Sequence, residues 1–92
     1  MRTDTSCTVR IASPLHSYTA GAAAVESPGA SLAEVLGDLE RRFPGIRFRV
    51  IDEQDRIRPH IRLFVNTDEA RDLTAHVHRG DTVHVICALS GG

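Results

Sequence analysis

Alternation of apolar and polar residues predicts a β-strand near each end of the chain. Residues 6–13 read SCTVRIAS, which places Cys7, Val9 and Ile11 on one face. Residues 81–89 read DTVHVICAL, and the same alternation sorts them into two faces, with Val83, Val85 and Cys87 on one and His84, Ile86 and Ala88 on the other. A period of two residues is typical of a strand with one buried face.

Two further segments are predicted as strands. Residues 22–27 (AAAVES) form a weaker strand that lies close enough to the first to make a hairpin with it. Residues 60–66 (HIRLFVN) alternate well, with Ile61, Leu63 and Val65 on one side of the strand.

The remaining connections show weaker patterns. In residues 46–60, Ile46, Phe48 and Val50 alternate, but a charged stretch containing Pro59 follows. We therefore predict an irregular loop there, with a short extended piece. Residues 66–81 are predicted to form turns and short segments.

One helix has a clear beginning and end. Ser31 and Glu34 fit the S-x-x-E capping box at the start, and Pro44 follows the end. The apolar residues between recur at helical spacing and make one stripe: Leu32, Val35, Leu36, Leu39 and Phe43. Arg41 and Arg42 fall in the last turn, where positive charge suits the helix dipole.

The order of these elements predicts an α+β domain of the β-grasp, ubiquitin-like class, with one main helix packed on a mixed four- to five-stranded sheet. In that arrangement the first and last strands are parallel neighbours at the sheet centre. Cys7 begins the first strand and Cys87 ends the last, so we expect roughly 15 Å between them and no disulfide. We divide the chain into a domain at residues 1–88 and a flexible tail at residues 89–92.

Composition narrows the functional classes. The 92 residues carry a net charge of -1, which argues against nucleic acid as a partner, and lysine is absent. No apolar run approaches the roughly 20 residues that span a bilayer. The first ten residues lack the apolar core of a signal peptide, so we expect a cytoplasmic protein without membrane contact.

The sequence ends in Gly91 and Gly92. Because glycine has no Cβ, a Gly-Gly end can thread a narrow channel and present its α-carboxylate to another protein's active site. A carboxylate becomes an acyl donor once ATP converts it to an acyl-adenylate. Taken alone, two terminal glycines are more often a frayed end.

The chain resembles the MoaD/ThiS family of ubiquitin-like sulfur carriers, with features closest to the CysO-like branch. The resemblance to the family rests on four segments: ASLAEVLGDLERRFPGI, RLFVNTDEAR, RGDTVHVICAL and the final SGG. The insertion DEQDRIRPH is the feature that is closest to the CysO-like branch. It implies that Gly92 is adenylated and becomes a thiocarboxylate that donates sulfur, while Gly91 and Ser90 thread the tail into the enzyme. It also implies a carrier with no catalytic residue and no bound cofactor, since the activating enzyme uses the ATP.

The resemblance further implies partners. These are a ubiquitin-activating-type adenylating and sulfurtransferase enzyme and a downstream synthase that accepts the sulfur for cysteine, a cofactor or a natural product. The resemblance leaves open whether a metalloprotease also takes part and releases the product. The expected interface is the sheet face opposite the helix, consisting of Phe64, Ile86, His84, Arg62 and Leu89. Scattered surface hydrophobic residues would be the ordinary explanation of that face.

Two other functions are alternatives to a sulfur carrier. A protein modifier conjugated to lysines would share the activation chemistry, and a β-grasp interaction module would need no tail chemistry. Four histidines, His60, His76, His78 and His84, match no zinc-binding spacing, so we expect surface histidines and no metal. Cys87 is predicted to be a core thiol without a neighbouring base, which argues against a catalytic nucleophile.

Overall fold

The computed structural model describes residues 6–88. Within that range the chain forms five β-strands, two α-helices and one 3-10 turn. In chain order these are β1 (Ser6–Ile11), the 3-10 turn (Ser13–Leu15), β2 (Ala24–Pro28), α1 (Leu32–Arg42), α2 (Ile46–Val50), β3 (Ile61–Val65), β4 (Asp68–Ala70) and β5 (Thr82–Cys87). The predicted tail, Leu89, Ser90, Gly91 and Gly92, lies outside the described residues, so the division at residue 88 stays a prediction.

The five strands form one mixed sheet in the order β2-β1-β5-β3-β4. The first and last strands are parallel neighbours at its centre, with Val9 opposite Val83 and Ile11 opposite Val85. β1 and β2 form the predicted antiparallel hairpin, and β5 pairs antiparallel with β3 on its other edge. This topology confirms the predicted β-grasp arrangement.

Helix α1 begins where the capping residues predict. The hydroxyl of Ser31 accepts a hydrogen bond from the Glu34 N–H at 3.3 Å. The Glu34 carboxylate bonds back to the N–H of Ala30 at 2.9 Å, one residue earlier than a standard capping box. The Glu34 N–H in the first turn of α1 and the Ala30 N–H just before the cap are therefore both satisfied.

The core lies between α1 and one face of the sheet. Helix α1 contributes Leu32, Val35, Leu36 and Leu39, all nearly fully buried. The central strands contribute their predicted inward residues: Cys7, Val9, Ile11, Ile61, Leu63, Val83 and Val85. Phe43, at the end of the helical stripe, is only partly buried.

The prediction for residues 46–60 is wrong at its beginning. Residues 46–50 form the short helix α2 instead of an extended piece. Ile46 and Val50, four residues apart, are buried on the same side of the helix, while Phe48 between them is 55% exposed. The three apolar residues alternate like a strand, but Ile46 and Val50 form a buried pair on one side of a helix and Phe48 points outward.

A carboxylate from α1 explains why α2 forms. Glu40 accepts hydrogen bonds from the N–H groups of Gly45 and Arg47 at the beginning of α2. These backbone bonds lower the pKa of Glu40, since they favour its charged form. Gly45 sits at φ 99°, a left-handed conformation that joins the two helices and that side-chain-bearing residues rarely adopt.

A buried carboxylate on α1 was not anticipated from the sequence. Asp38 is 8% exposed although it carries charge. Its oxygens accept hydrogen bonds from the Ser27 hydroxyl on β2 and from the side chains of Arg41 and Arg42, each at 3.0 Å. The Cys7 thiol on β1 donates to the carbonyl of Ser27 at 3.4 Å. This network links α1 to two strands through polar contacts.

We predict that Asp38→Ala lowers the free energy of unfolding by about 1–3 kcal/mol, because it removes the shared acceptor of Ser27 and two guanidinium groups. Urea denaturation measures the change. Glu53→Ala is the matched control, since it removes the same charge from an exposed residue and should cost less than about 0.5 kcal/mol. Equal stability of the two variants would show that the network contributes nothing.

Candidate functional site

Strand pairing brings together four of the five residues predicted for the partner interface. In the register of β3 and β5, Arg62 lies opposite Ile86, and Phe64 lies opposite His84. All four belong to the sheet face that points away from the core, because their neighbours Leu63 and Val85 are buried. We call Phe64, Ile86, His84 and Arg62 the outer-face cluster. The fifth residue, Leu89, lies outside the described residues.

The outer-face cluster combines an apolar centre with positive charge. Ile86 is 41% exposed, and Phe64 and His84 are half-buried beside it. Arg62 is exposed and forms an ion pair with Glu69 at 3.2 Å. On the other edge of β5, Arg10 of β1 lies opposite His84. Such a surface suits an interface with an apolar centre and a charged rim.

The position of the last described residues is fixed from both sides. The N–H of Ala12 donates to the carbonyl of Val85 at 3.1 Å, and the N–H of Ala88 donates to the carbonyl of His60 at 2.8 Å. The backbone is therefore held by hydrogen bonds up to Ala88, the residue just before the predicted tail. Gly92, Gly91 and Ser90 belong to that undescribed segment, so their assigned roles stay predictions.

A groove that the sequence did not suggest lies beside Ala88. Its volume is about 310 Å³, and its lining includes Leu15, Phe48, Arg49, Arg58, His60 and Ala88. The groove was not predicted because residues 46–60 were predicted as an irregular loop, and it is the helical turn of α2 that directs Phe48 outward. The available sequence signal was an aromatic residue, Phe48, between Arg47 and Arg49.

The prediction that Cys87 is a core thiol is wrong in part. Its neighbour on the same strand face, Val85, is buried, but Cys87 at the strand end is half-buried. Burial raises the pKa of Cys87, and it also raises the pKa of the almost fully buried Cys7. Both cysteines are free. A raised pKa leaves little thiolate at neutral pH, which disfavours nucleophilic chemistry at either sulfur.

The histidines in the described part of the chain are not grouped as metal ligands. His60, His76 and His78 are exposed, and His84 is half-buried. Over residues 6–88, no group of three histidine, cysteine or acidic side chains is arranged to hold a metal ion. In the same range, no helix is long and apolar enough to cross a membrane.

The architecture defines the class of protein. A mixed sheet with parallel first and last strands at its centre, crossed by one main helix, is the β-grasp or ubiquitin-like fold. The ThiS family model matches residues 9–92, so the chain belongs to the ThiS family of small sulfur carrier proteins. The sulfur carrier protein CysO of Mycobacterium tuberculosis is 31% identical over 90 residues, which cover 92% of this chain and 97% of that protein.

Solved structures agree with this assignment. A chain in the crystal structure of the Amycolatopsis orientalis BexX/CysO complex is 35% identical, with a TM-score of 0.87, and the match covers 94% of this chain and 99% of that one. The crystal structure of Mycobacterium tuberculosis CysO, described as an antigen, is 28% identical, with a TM-score of 0.86, and the match covers 90% of this chain and 99% of that one.

We predict that the two thiols differ in reactivity. In the native protein at neutral pH, a thiol-reactive aromatic disulfide should modify Cys87 slowly, and Cys7 only after denaturation, because Cys7 is 1% exposed. Absorbance of the released thiolate gives the rates. Cys87→Ala should abolish the native-state reaction, and equal rates at both sites would contradict the described burial.

Proposed function

We propose that this protein carries sulfur as a thiocarboxylate at Gly92. The observation that carries the proposal is that the ThiS family model matches continuously from β1 to residue 92, including the final Ser90-Gly91-Gly92. The fold supports it, since β5 is hydrogen-bonded on both edges and leads directly into that segment.

The chemistry takes place in two steps on a partner enzyme. The Gly92 carboxylate attacks the α-phosphorus of ATP, which forms an acyl-adenylate and releases pyrophosphate. Hydrosulfide then attacks the acyl carbon, a C–S bond forms, and AMP leaves as the C–O bond to phosphate breaks. The unhindered glycine carbonyl favours the second step, in which its carbon is attacked. The resulting thiocarboxylate sulfur is the nucleophile that a downstream synthase directs to an electrophilic acceptor, and a metalloprotease would be needed only if the product stays attached to the chain.

The outer-face cluster is the proposed docking surface for the activating enzyme. Its exposed apolar centre at Ile86 lies two residues before Ala88, so an enzyme bound there is close to the start of the tail. The Amycolatopsis orientalis structure is a BexX/CysO complex, which supports binding of a partner protein as a property of such carriers. On this proposal the chain acts as a substrate of its partner enzymes and carries sulfur for them.

Intact mass spectrometry tests the sulfur chemistry. After incubation with an activating enzyme from the same genome, ATP and sulfide, we predict a mass gain equal to replacing one oxygen by sulfur, located in the C-terminal peptide. Deletion of Gly92 should abolish the gain without changing the unfolding temperature. Gly37→Ala is the matched control, since a Cβ there would meet no atom within 4 Å.

Three outcomes would contradict the proposal. An unchanged mass with an enzyme that is active on another carrier would exclude sulfur loading. Sulfur loading of the Gly92-deleted chain would exclude Gly92 as the carrier residue. Adducts with other proteins that survive denaturation would instead indicate a modifier conjugated to lysines.

A separate prediction concerns docking. Ile86→Asp should raise the KM for this protein in ATP–pyrophosphate exchange by about tenfold, because it puts an unpaired charge at the apolar centre of the interface. The kcat should change little. Ala33→Asp adds the same charge to the exposed side of α1 and should leave KM unchanged. The same KM for both variants would exclude the outer face as the docking surface.

A further inference from the structure

A second exposed apolar side chain lies near the end of β5, away from the outer-face cluster. Phe48 on α2 is 55% exposed, and burial of Ile46 and Val50 on the same helix fixes its outward direction. Within residues 6–88, Phe48 and Ile86 are the two large hydrophobic residues that stand out as exposed. Phe48 lines the groove beside Ala88, which we call the tail-side groove.

Two arginines bring positive charge to the groove, and only Arg58 lies over the Phe48 ring. The guanidinium of Arg58 lies 4.4 Å from the centre of the Phe48 ring, and its Nε donates to the Phe48 carbonyl at 2.7 Å. The guanidinium of Arg49 lies 5.9 Å from the ring centre of Tyr18. These stacked positions hold both side chains in place while their remaining N–H donors stay available.

The two arginines that line the groove differ from the five described arginines that form ion pairs. Five arginines in the described part of the chain, Arg41, Arg42, Arg47, Arg56 and Arg62, form ion pairs with nearby carboxylates. Across residues 6–88, no carboxylate forms an ion pair with Arg49 or Arg58. Arg58 interacts electrostatically with Asp52 without forming an ion pair. The two guanidinium groups still leave a local excess of positive charge in the groove, on a protein of net charge -1.

The tail-side groove is continuous with the surface next to the outer-face cluster. Pro14 and Cys87 line both the groove and a neighbouring depression of about 410 Å³, and that depression also includes Arg10, His84 and Ile86. One partner that holds the tail can therefore contact both surfaces at the same time. The two surfaces lie on either side of the strand end from which the predicted tail starts.

We propose that the tail-side groove binds an acidic segment of the activating enzyme, with an apolar side chain against Phe48 and carboxylates on Arg49 and Arg58. This inference rests on the proposed function, because it requires an enzyme that holds the tail. The charge of the groove selects an acidic segment, and the exposed ring selects an apolar anchor. The rival occupant is the carboxylate of the protein's own tail, since four residues reach roughly 13 Å from Ala88.

Exchange kinetics test the groove without disturbing the sheet face. The variant carries Arg49→Gln and Arg58→Gln, and the control carries Arg56→Gln and Arg71→Gln, which remove the same charge from exposed residues outside the groove. The KM for this protein in ATP–pyrophosphate exchange is measured with the activating enzyme at low and high salt. We expect the groove variant to raise KM about fivefold to tenfold with kcat unchanged, and to weaken the dependence of KM on salt. Phe48→Ser should raise KM as well, which identifies the apolar anchor.

The outcomes separate this inference from the proposed function. Failure of the unmodified protein to support exchange overturns both. Normal exchange, with the same KM for the groove variant and the control, overturns the groove alone. Amide NMR spectra of the full chain and of a chain lacking Gly91 and Gly92 address the rival occupant. Shifts at Phe48, Arg49 and Arg58 on deletion would assign the groove to the protein's own tail and overturn the proposal.

Discussion

The parallel pairing of β1 with β5 is the constraint on which the other features depend. Because the last strand lies at the centre of the sheet, it has a hydrogen-bonded neighbour on each edge. Val83 and Val85 are almost fully buried in that position. The strand cannot leave the sheet without breaking two ladders and exposing the core, so Ala88 keeps a fixed position relative to both surfaces around it.

The helical layer determines which side chains surround that fixed point. Asp38 joins α1 to β2 through Ser27, and Glu40 joins α1 to the beginning of α2. The Glu40 contacts set the beginning of α2, whose turn leaves Phe48 outside the core on one side of the strand end, while the pleat of β5 leaves Ile86 outside on the other side. One acidic group on α1 thereby helps to position an exposed ring on the next helix.

The distribution of reactive groups fits a carrier whose chemistry happens elsewhere. Burial raises the pKa of both cysteines, which keeps them in the thiol form. Thiols are poor nucleophiles, so neither sulfur competes for an activated acyl group on the same chain. The positive charge near Ala88 is held on arginines that stack on aromatic rings. The domain thus has an exposed apolar side chain, Phe48 or Ile86, on each side of the strand end.

Local patterns in the sequence were sufficient for β1, β2, β3, β5, the capped helix α1 and the β-grasp order, because each depends on periodicity and on residues that mark element ends. The short strand β4 fell in a stretch predicted as turns and short segments. The same alternation assigned Phe64, His84 and Ile86 to one sheet face. Helix α2 could not be read in this way, since its cap, Glu40, belongs to another helix and its three apolar residues fit either period. The burial of Asp38, the half-buried state of Cys87 and the groove beside Ala88 were decided by tertiary structure, because they depend on distances between elements that no local pattern encodes.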